Sequence, residues 1–171
     1  MAFNVTDFQS RVRDVVRTHQ FQCNIVFPSA IPGGTSEIVN ILAESANLPG
    51  KKIAEVMLNY AGAPLKLAGK VSYTPWTVVF RVDDNLDVYK KFRAWSELCL
   101  GTESNIAAFP AQYKSNPIMY QLDNNGNKIA QLTLNGAWPS DIADLAYDTK
   151  DKTVVTLDVT FAYDFPVYKV L

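Results

Sequence analysis

The residues best equipped for chemistry in this chain are its aspartates. Asp141, Asp144 and Asp148 recur at spacings of three and four, and Asp83-Asp84 with Asp87 forms a second acidic group. Carboxylates gathered on one helix face could hold a calcium ion, and a close pair could share a proton as an acid–base couple. Neither pattern is completed by its surroundings. The segment 141–148 reads as a strand, where residues three apart point to opposite faces, and it lacks the loop spacing of an EF-hand. Asp83, Asp84 and Asp87 stand at the start of a helical stretch. Acids there complement the positive end of the helix dipole, and Asp84 or Asn85 suits the N-cap.

The remaining inventory is thin. His19 is the single histidine, so no histidine-based metal cluster can form, and no CxxC, HExxH, GxSxG, P-loop or GxGxxG pattern occurs. Cys23 falls in a strand pattern and Cys99 at the end of a helix pattern. Both read as small apolar fillers of a reducing compartment. The sequence therefore offers no catalytic residue, metal site or cofactor site, and a structural role is expected.

The elements must then carry the function. At 171 residues, folding hides roughly 70% of the unfolded chain's surface. Hydrophobic residues make up 48% and charged residues 19%, a globular balance. Sixteen Lys and Arg against seventeen Asp and Glu give a net charge of −1, which argues against a general nucleic-acid binder. The N-terminus is too polar for a signal peptide, no apolar run approaches bilayer length, and no membrane partner is expected.

Residues 6–17 read as a short amphipathic helix with Thr6 and Gln9 as a capping box. In 20–27, Phe21, Cys23, Ile25 and Phe27 alternate with Gln20, Gln22 and Asn24, the mark of a half-buried strand. A second strand is predicted at 38–45. Residues 52–60 and 65–73 read as a hairpin closed by 61–64, with poor alternation around Met57, Leu58 and Leu65. Such a hairpin suits packing on something outside its own domain. Residues 76–82, beginning at Trp76, form the clearest apolar strand. A helix over 86–100 carries Phe92 and Trp95 on its packed stripe and ends at Gly101, placed as a C-cap glycine. Strands at 117–123 and 128–135 flank an Asn-Gly turn, and further strands are predicted at 141–148 and 153–165. Trp138-Pro139 reads as a corner between strands, with Trp138 as an anchor. The fold class is mainly β: a sandwich or barrel in one domain over 1–171, with one flanking helix, a short N-terminal helix and an extended hairpin near 50–73.

Three segments, in order, resemble the tail tube proteins of contractile-tailed bacteriophages: residues 45–96, containing "SANLPGKK" and "WTVVFRVDDNLDVYKKFRAWS"; residues 110–123, "PAQYKSNPIMYQLD"; and residues 132–165, with the Gly136-Ala137-Trp138-Pro139 stretch as the most specific piece. The resemblance implies hexameric rings that stack into a hollow tube, with four strands per copy continuing one closed sheet around the lumen. It implies a sheath outside, baseplate and terminator proteins at the ends, and a tape measure protein and transiting DNA within. Related roles are a tube-initiating baseplate protein and the inner tube of a type VI secretion system.

Under that reading the lumen carries polar or acidic residues, since a basic lining would hold phosphate and stall transit. The candidates are Gln20, Gln22, Asn24, Gln131, Thr133, Thr156, Asp158 and Thr160. The hairpin reaches a neighbouring subunit through Leu48, Pro49, Met57, Leu58, Leu65 and Leu67. Two other readings of the residues stand beside this one. A monomeric barrel holding an apolar ligand requires a closed cavity, and an enzyme built on Asp83 and Asp84 requires a perturbed acid pair.

Overall fold

Period-two burial organises the molecule. The computed structural model describes residues 4–5, 15–31, 37–60, 62–150 and 153–171. The elements run β1 (Phe21–Asn24), α1 (Glu37–Ile41), β2 (Ala43–Ala46), β3 (Lys51–Tyr60), β4 (Ala63–Tyr73), β5 (Trp76–Arg81), α2 (Asp87–Cys99), α3 (Pro110–Tyr113), β6 (Ile118–Leu122), β7 (Lys128–Asn135), β8 (Trp138–Ile142), β9 (Thr156–Ala162) and β10 (Phe165–Val170). Two four-stranded antiparallel sheets, ordered β1-β6-β7-β10 and β2-β5-β9-β8, share one core, and β3-β4 forms a separate two-stranded ribbon. The mainly β class and the flanking helix match the expectation. Most of the expected N-terminal helix lies outside the described residues.

In the second sheet, Trp76, Val78 and Phe80 are buried, and the register sets them against Phe161, Val159 and Leu157. Burying each such side chain stabilises by about 1.5–3 kcal/mol. A one-residue slip would turn all of them outward and cost on the order of 10 kcal/mol, comparable with the whole stability of a domain. The first sheet answers with Cys23, Leu132 and Leu134 on its inner face. Helix α2 closes the core by inserting Val88, Phe92 and Trp95. The Phe92 ring lies 5.0 Å from Phe80 and 5.4 Å from Phe27.

Several local expectations are corrected. The apolar run near 38–45 is too short to reveal its period, and it divides into α1 and β2. Asn40 explains the division: its side-chain oxygen accepts from Ile25 N at 2.7 Å, and its amide donates to Asn24 Oδ1, tying α1 to β1. Helix α2 is capped by Asp83 rather than Asp84 or Asn85, while Leu86 takes a left-handed conformation at the N-cap. Gly101 is not a left-handed cap, because the helix ends through extended Leu100. Residues 143–148 leave the sheet: the amide of Ala143 makes a last ladder bond to Asp158 O, and residues 143–148 form no strand.

The Trp138-Pro139 corner is also corrected. The turn is made by Gly136, at φ 65°, and Trp138 already begins β8. A Cβ on Gly136 would strike the Asp164 carboxylate, so this glycine is required by both its backbone and its neighbour. Pro139 fits because β8 is an edge strand with one paired side, the position where a missing N–H is tolerated.

Candidate assembly surfaces

The acidic groups resolve into structural roles. The Asp83 carboxylate accepts from the amides of Asp87 and Val88, each at 3.1 Å. Burial pushes its pKa up, but the Val88 and Asp87 amides outweigh that and hold it below the usual carboxylate range. A general acid needs the opposite shift. Asp141 lies in β8 opposite Thr160, while Asp144 and Asp148 follow in the irregular segment. Among the described residues, no three His, Cys, Asp or Glu side chains are grouped to hold a metal ion. Both cysteines are free, and burial pushes the Cys23 thiol up to about 12 and the Cys99 thiol up to about 11, so neither is poised as a thiolate. His19 is exposed in a turn.

The hairpin has a different character. Every residue of β3 is exposed, and so is β4 apart from Gly69 and Tyr73. Its register pairs Leu58 with Leu65, Val56 with Leu67 and Tyr60 with Ala63. Because same-face residues recur at every second position, Val56, Leu58, Tyr60, Leu65 and Leu67 form one apolar face. Met57 falls on the other face, opposite Lys66, whose ammonium pairs with Glu55 at 3.0 Å. The alternation that looked poor in the sequence is thus a clean two-faced ribbon, broken once by a bulge between Ile53 and Glu55. Gly69 serves that bulge: a Cβ there would lie 2.9 Å from the Ala54 carbonyl oxygen. Leu48 and Pro49 sit at the ribbon's base, Leu48 exposed and Pro49 half-buried.

The eight lumen candidates do not share a face. Gln22, Asn24, Gln131 and Thr133 lie on the outer side of the first sheet, where the register aligns Gln22 with Tyr120 and Gln131. Thr156, Asp158 and Thr160 lie on the outer side of the second sheet, beside Arg81, Val79 and Thr77. The sheets pack through their inner faces, so these two sets point in opposite directions. Gln20 belongs to neither. It is buried, its side-chain oxygen accepts from Arg17 N at 2.7 Å, and its amide donates to Asn124 Oδ1.

The two faces differ in charge. The first carries Lys169 opposite Gln131, with Lys128 Nζ 3.8 Å above the Tyr120 ring. The second carries Asp141, Asp158 and a row of threonines, with Arg81 neutralised by Glu44 at 3.4 Å. The second sheet's edges are β2 and β8, each with one strand neighbour. Its middle strand β9 and β2 run one way, β5 and β8 the other, so a β8 edge meets a β2 edge antiparallel.

The anchors are distributed as follows. Trp76, Phe92 and Trp95 are fully buried. Trp138 is half-buried with its ring edge-on to Tyr113 at 6.2 Å, and Pro139 is buried. Sequence reasoning missed β10, whose Val167 and Lys169 alternate with Pro166 and Tyr168. It also missed the role of Lys114, which pairs with Asp164 at 2.7 Å beside the Gly136 turn.

Comparison with known proteins gives this architecture its context. Residues 16–168 match the family model described as phage tail tube protein. The chain is 30% identical over 141 residues to the tail tube protein of Serratia phage KSP90, covering 81% of this chain and 80% of that protein. It is 25% identical over 121 residues to tail tube protein gp19 of Enterobacteria phage T4, covering 69% and 74%. In fold it is similar to a chain of the anti-feeding prophage baseplate, with a TM-score of 0.71 at 16% identity, covering 91% and 96%. The match spans nearly the whole described sandwich and its hairpin, and on it the chain belongs to the phage tail tube protein family, the structural subunits of the virion's tail tube.

Proposed function

We propose that this chain closes into hexameric rings through its second sheet, that the rings stack into a hollow tube, and that genomic DNA passes through it. The observation that carries the reading is the apolar ribbon face of Val56, Leu58, Tyr60, Leu65 and Leu67, held clear of a fully packed sandwich. Tyr60 is 83% exposed. An apolar face of this extent marks an interaction surface.

Ring closure follows from the sheet edges. Pairing β8 of one copy with β2 of the next continues an antiparallel sheet, short of the one ladder bond that Pro139 cannot donate, and covers both open edges. Six copies make about 24 strands. At about 4.8 Å per strand the circumference is about 115 Å and the width about 37 Å before tilt enlarges it. The second sheet's outer face, with Thr156, Asp158 and Thr160, is the lumen wall. Its carboxylates and hydroxyls offer no counter-charge to phosphate, whereas the lysines of the first sheet would. Gln22, Asn24, Gln131 and Thr133 then face outward, toward the sheath side.

The ribbon leaves the second sheet along the strand direction and reaches the next ring through Leu48, Pro49, Leu58, Leu65 and Leu67, with Met57 on its reverse. The 171 residues act as one tube domain without catalysis or cofactor. Partners are further copies of the chain, the sheath, the baseplate and terminator proteins at the ends, and the tape measure protein and DNA inside. Negative-stain electron microscopy of the purified chain across a concentration series tests the reading. Rings with a central hole, or tubes of uniform width, are expected; a persistent monomer at every concentration would overturn it.

A further inference from the structure

The two ends of the second sheet are complementary. The ribbon departs where β5 begins, at Trp76, which pairs with Phe161. At the other end, where Arg81 meets Thr156, an open groove of about 590 Å³ is lined by Ala143, Asp144, Tyr147, Asp148, Val154 and Asp158, among others. Five strand steps, about 17 Å, separate these ends. Tyr147 and Val154 are 70% and 64% exposed there, and among the described residues no Lys or Arg lines the groove.

The ribbon has the opposite charge. Residues 51–73 hold four lysines against one acid, Glu55, a net of +3. Lys66 is taken by Glu55, while Lys51, Lys52 and Lys70 have no ion-pair partner among the described residues. These three lie at the ribbon's stem, not its tip. Between them Ile53 and Val71 face each other across the strands, exposed, with Lys51 on their side and Lys52 and Lys70 on the other. An apolar pair framed by lysines thus stands at one end of the sheet, and an apolar pair framed by aspartates at the other.

We infer that the stem of the ribbon seats in the groove of the next copy along the tube axis, Ile53 and Val71 against Tyr147 and Val154, with Lys51 on the same ribbon face toward Asp144 and Asp148. This rests on the tube reading above and names the receiving surface. A head-to-tail contact between unlike ends propagates without limit along an axis, whereas pairing of like ends would stop at two. The like-charged alternatives, stem on stem or groove on groove, are opposed by repulsion, so the same charges also set polarity.

Charge reversal on the purified chain tests this, read by sedimentation and electron microscopy. Asp144→Lys with Asp148→Lys should leave rings intact and reduce pelleted tube by about ten-fold or more, and adding Lys51→Glu, on the contacting face, should restore part of it, whereas adding Lys70→Glu, on the reverse face, should restore less. Restoration also demonstrates that the groove variant folds. Independently, Ile53→Cys combined with Tyr147→Cys should give disulfide-linked oligomers in oxidised tubes, which neither single variant gives. Tubes from the groove variant equal to those of the unmodified chain, or no cross-linking in tubes of the cysteine pair, would overturn the inference while leaving the tube itself standing. Absence of rings and tubes from the unmodified chain would remove the tube reading and this contact together.

Discussion

The indole N–H of Trp95 donates to the backbone carbonyl of Tyr113 at 2.7 Å, fastening the core helix α2 to the short helix α3. The same ring lies 5.4 Å from Phe27 and 5.9 Å from Phe161, so one side chain joins α3, the segment after β1 and the second sheet. Replacing it by phenylalanine keeps much of the packing but leaves the Tyr113 carbonyl without its donor. Trp95→Phe is expected to cost about 1–3 kcal/mol, and Trp95→Ala about 3–5 kcal/mol. Urea unfolding followed by circular dichroism measures both, and a Trp95→Phe variant as stable as the unmodified chain would show that the hydrogen bond contributes little.

At Gly136 a side chain is opposed twice. The residue sits at φ 65°, and a Cβ would collide with the Asp164 carboxylate that Lys114 holds at 2.7 Å. Gly136→Ala is expected to destabilise by at least about 1 kcal/mol from the left-handed backbone alone. Displacing Asp164 adds to this, although the exposed ion pair itself is worth little. Combining Gly136→Ala with Asp164→Ala should recover part of the loss in thermal unfolding, because the collision then disappears while the backbone strain remains.

These two sites show what the sequence made legible. The alternation of Trp76, Val78 and Phe80, and of Leu157, Val159 and Phe161, exposed the central strands, because burial on one face stamps a period of two. The stripe through Phe92 and Trp95 did the same for the helix. What stayed hidden depended on contacts between distant segments. Nothing local to residues 38–41 records that Asn40 bonds to Ile25, and that bond is what holds a helix there. The hairpin looked irregular because apolar Met57 stands on the face of Lys66 and Glu55, next in sequence to Leu58 on the other face, and only the register sorts Leu58 and Leu65 from Met57 and Lys66. Lumen candidates were chosen for polarity, which every outward strand face shares, so polarity alone could not separate Gln131 from Thr160.

Asp83 gives the molecule an acid-sensitive helix start. Its pKa is lowered in the fold, so its contribution is complete above the unfolded value, about 3.9, and is lost as pH falls through the folded value. Asp123, held low by the Asn127 side chain and amide, and Glu97, held low by the Thr102 hydroxyl and amide, act in the same direction. Asparagine does not titrate in this range, but it offers one acceptor oxygen and so keeps only one of the two amide bonds. Asp83→Asn should therefore lose part of the stability near neutrality and flatten its decline below about pH 4, while Asp83→Ala should cost about 1 kcal/mol at neutral pH. Unfolding midpoints from pH 7 downward check the pair. A steeper acid decline in the asparagine variant would contradict the assignment.

If the second sheet walls the lumen, cations placed there must slow DNA. Thr77 and Thr160 face each other on that surface, their hydroxyls 3.2 Å apart. Thr77→Lys with Thr160→Lys adds about a dozen positive charges per ring and should slow ejection from particles, the delay shrinking between about 50 and about 200 mM salt. The same lysines at Gln131 and Thr133, on the opposite sheet, should leave ejection unchanged. Dye fluorescence of released DNA follows the rate. The reverse pattern would place the first sheet inside the tube.

The ribbon's tip supplies the sharpest separation of folding from assembly. Leu58 and Leu65 touch one another across the strands but have no cover from the rest of the described chain. Exposed substitutions of this kind change stability by about 0.5 kcal/mol, and losing the cross-strand pair adds less than about 1 kcal/mol confined to the ribbon. Leu58→Asp with Leu65→Asp should thus leave the unfolding temperature of the sandwich where it was. In a tube, each copy would bury two unpaired carboxylates in an apolar contact, and burying a charge without a partner costs far more than any ribbon pair returns. Rings are expected to persist and stacks to vanish, seen together by electron microscopy and analytical sedimentation. Stacks of normal length from this variant would show that the apolar ribbon face is not the contact between rings.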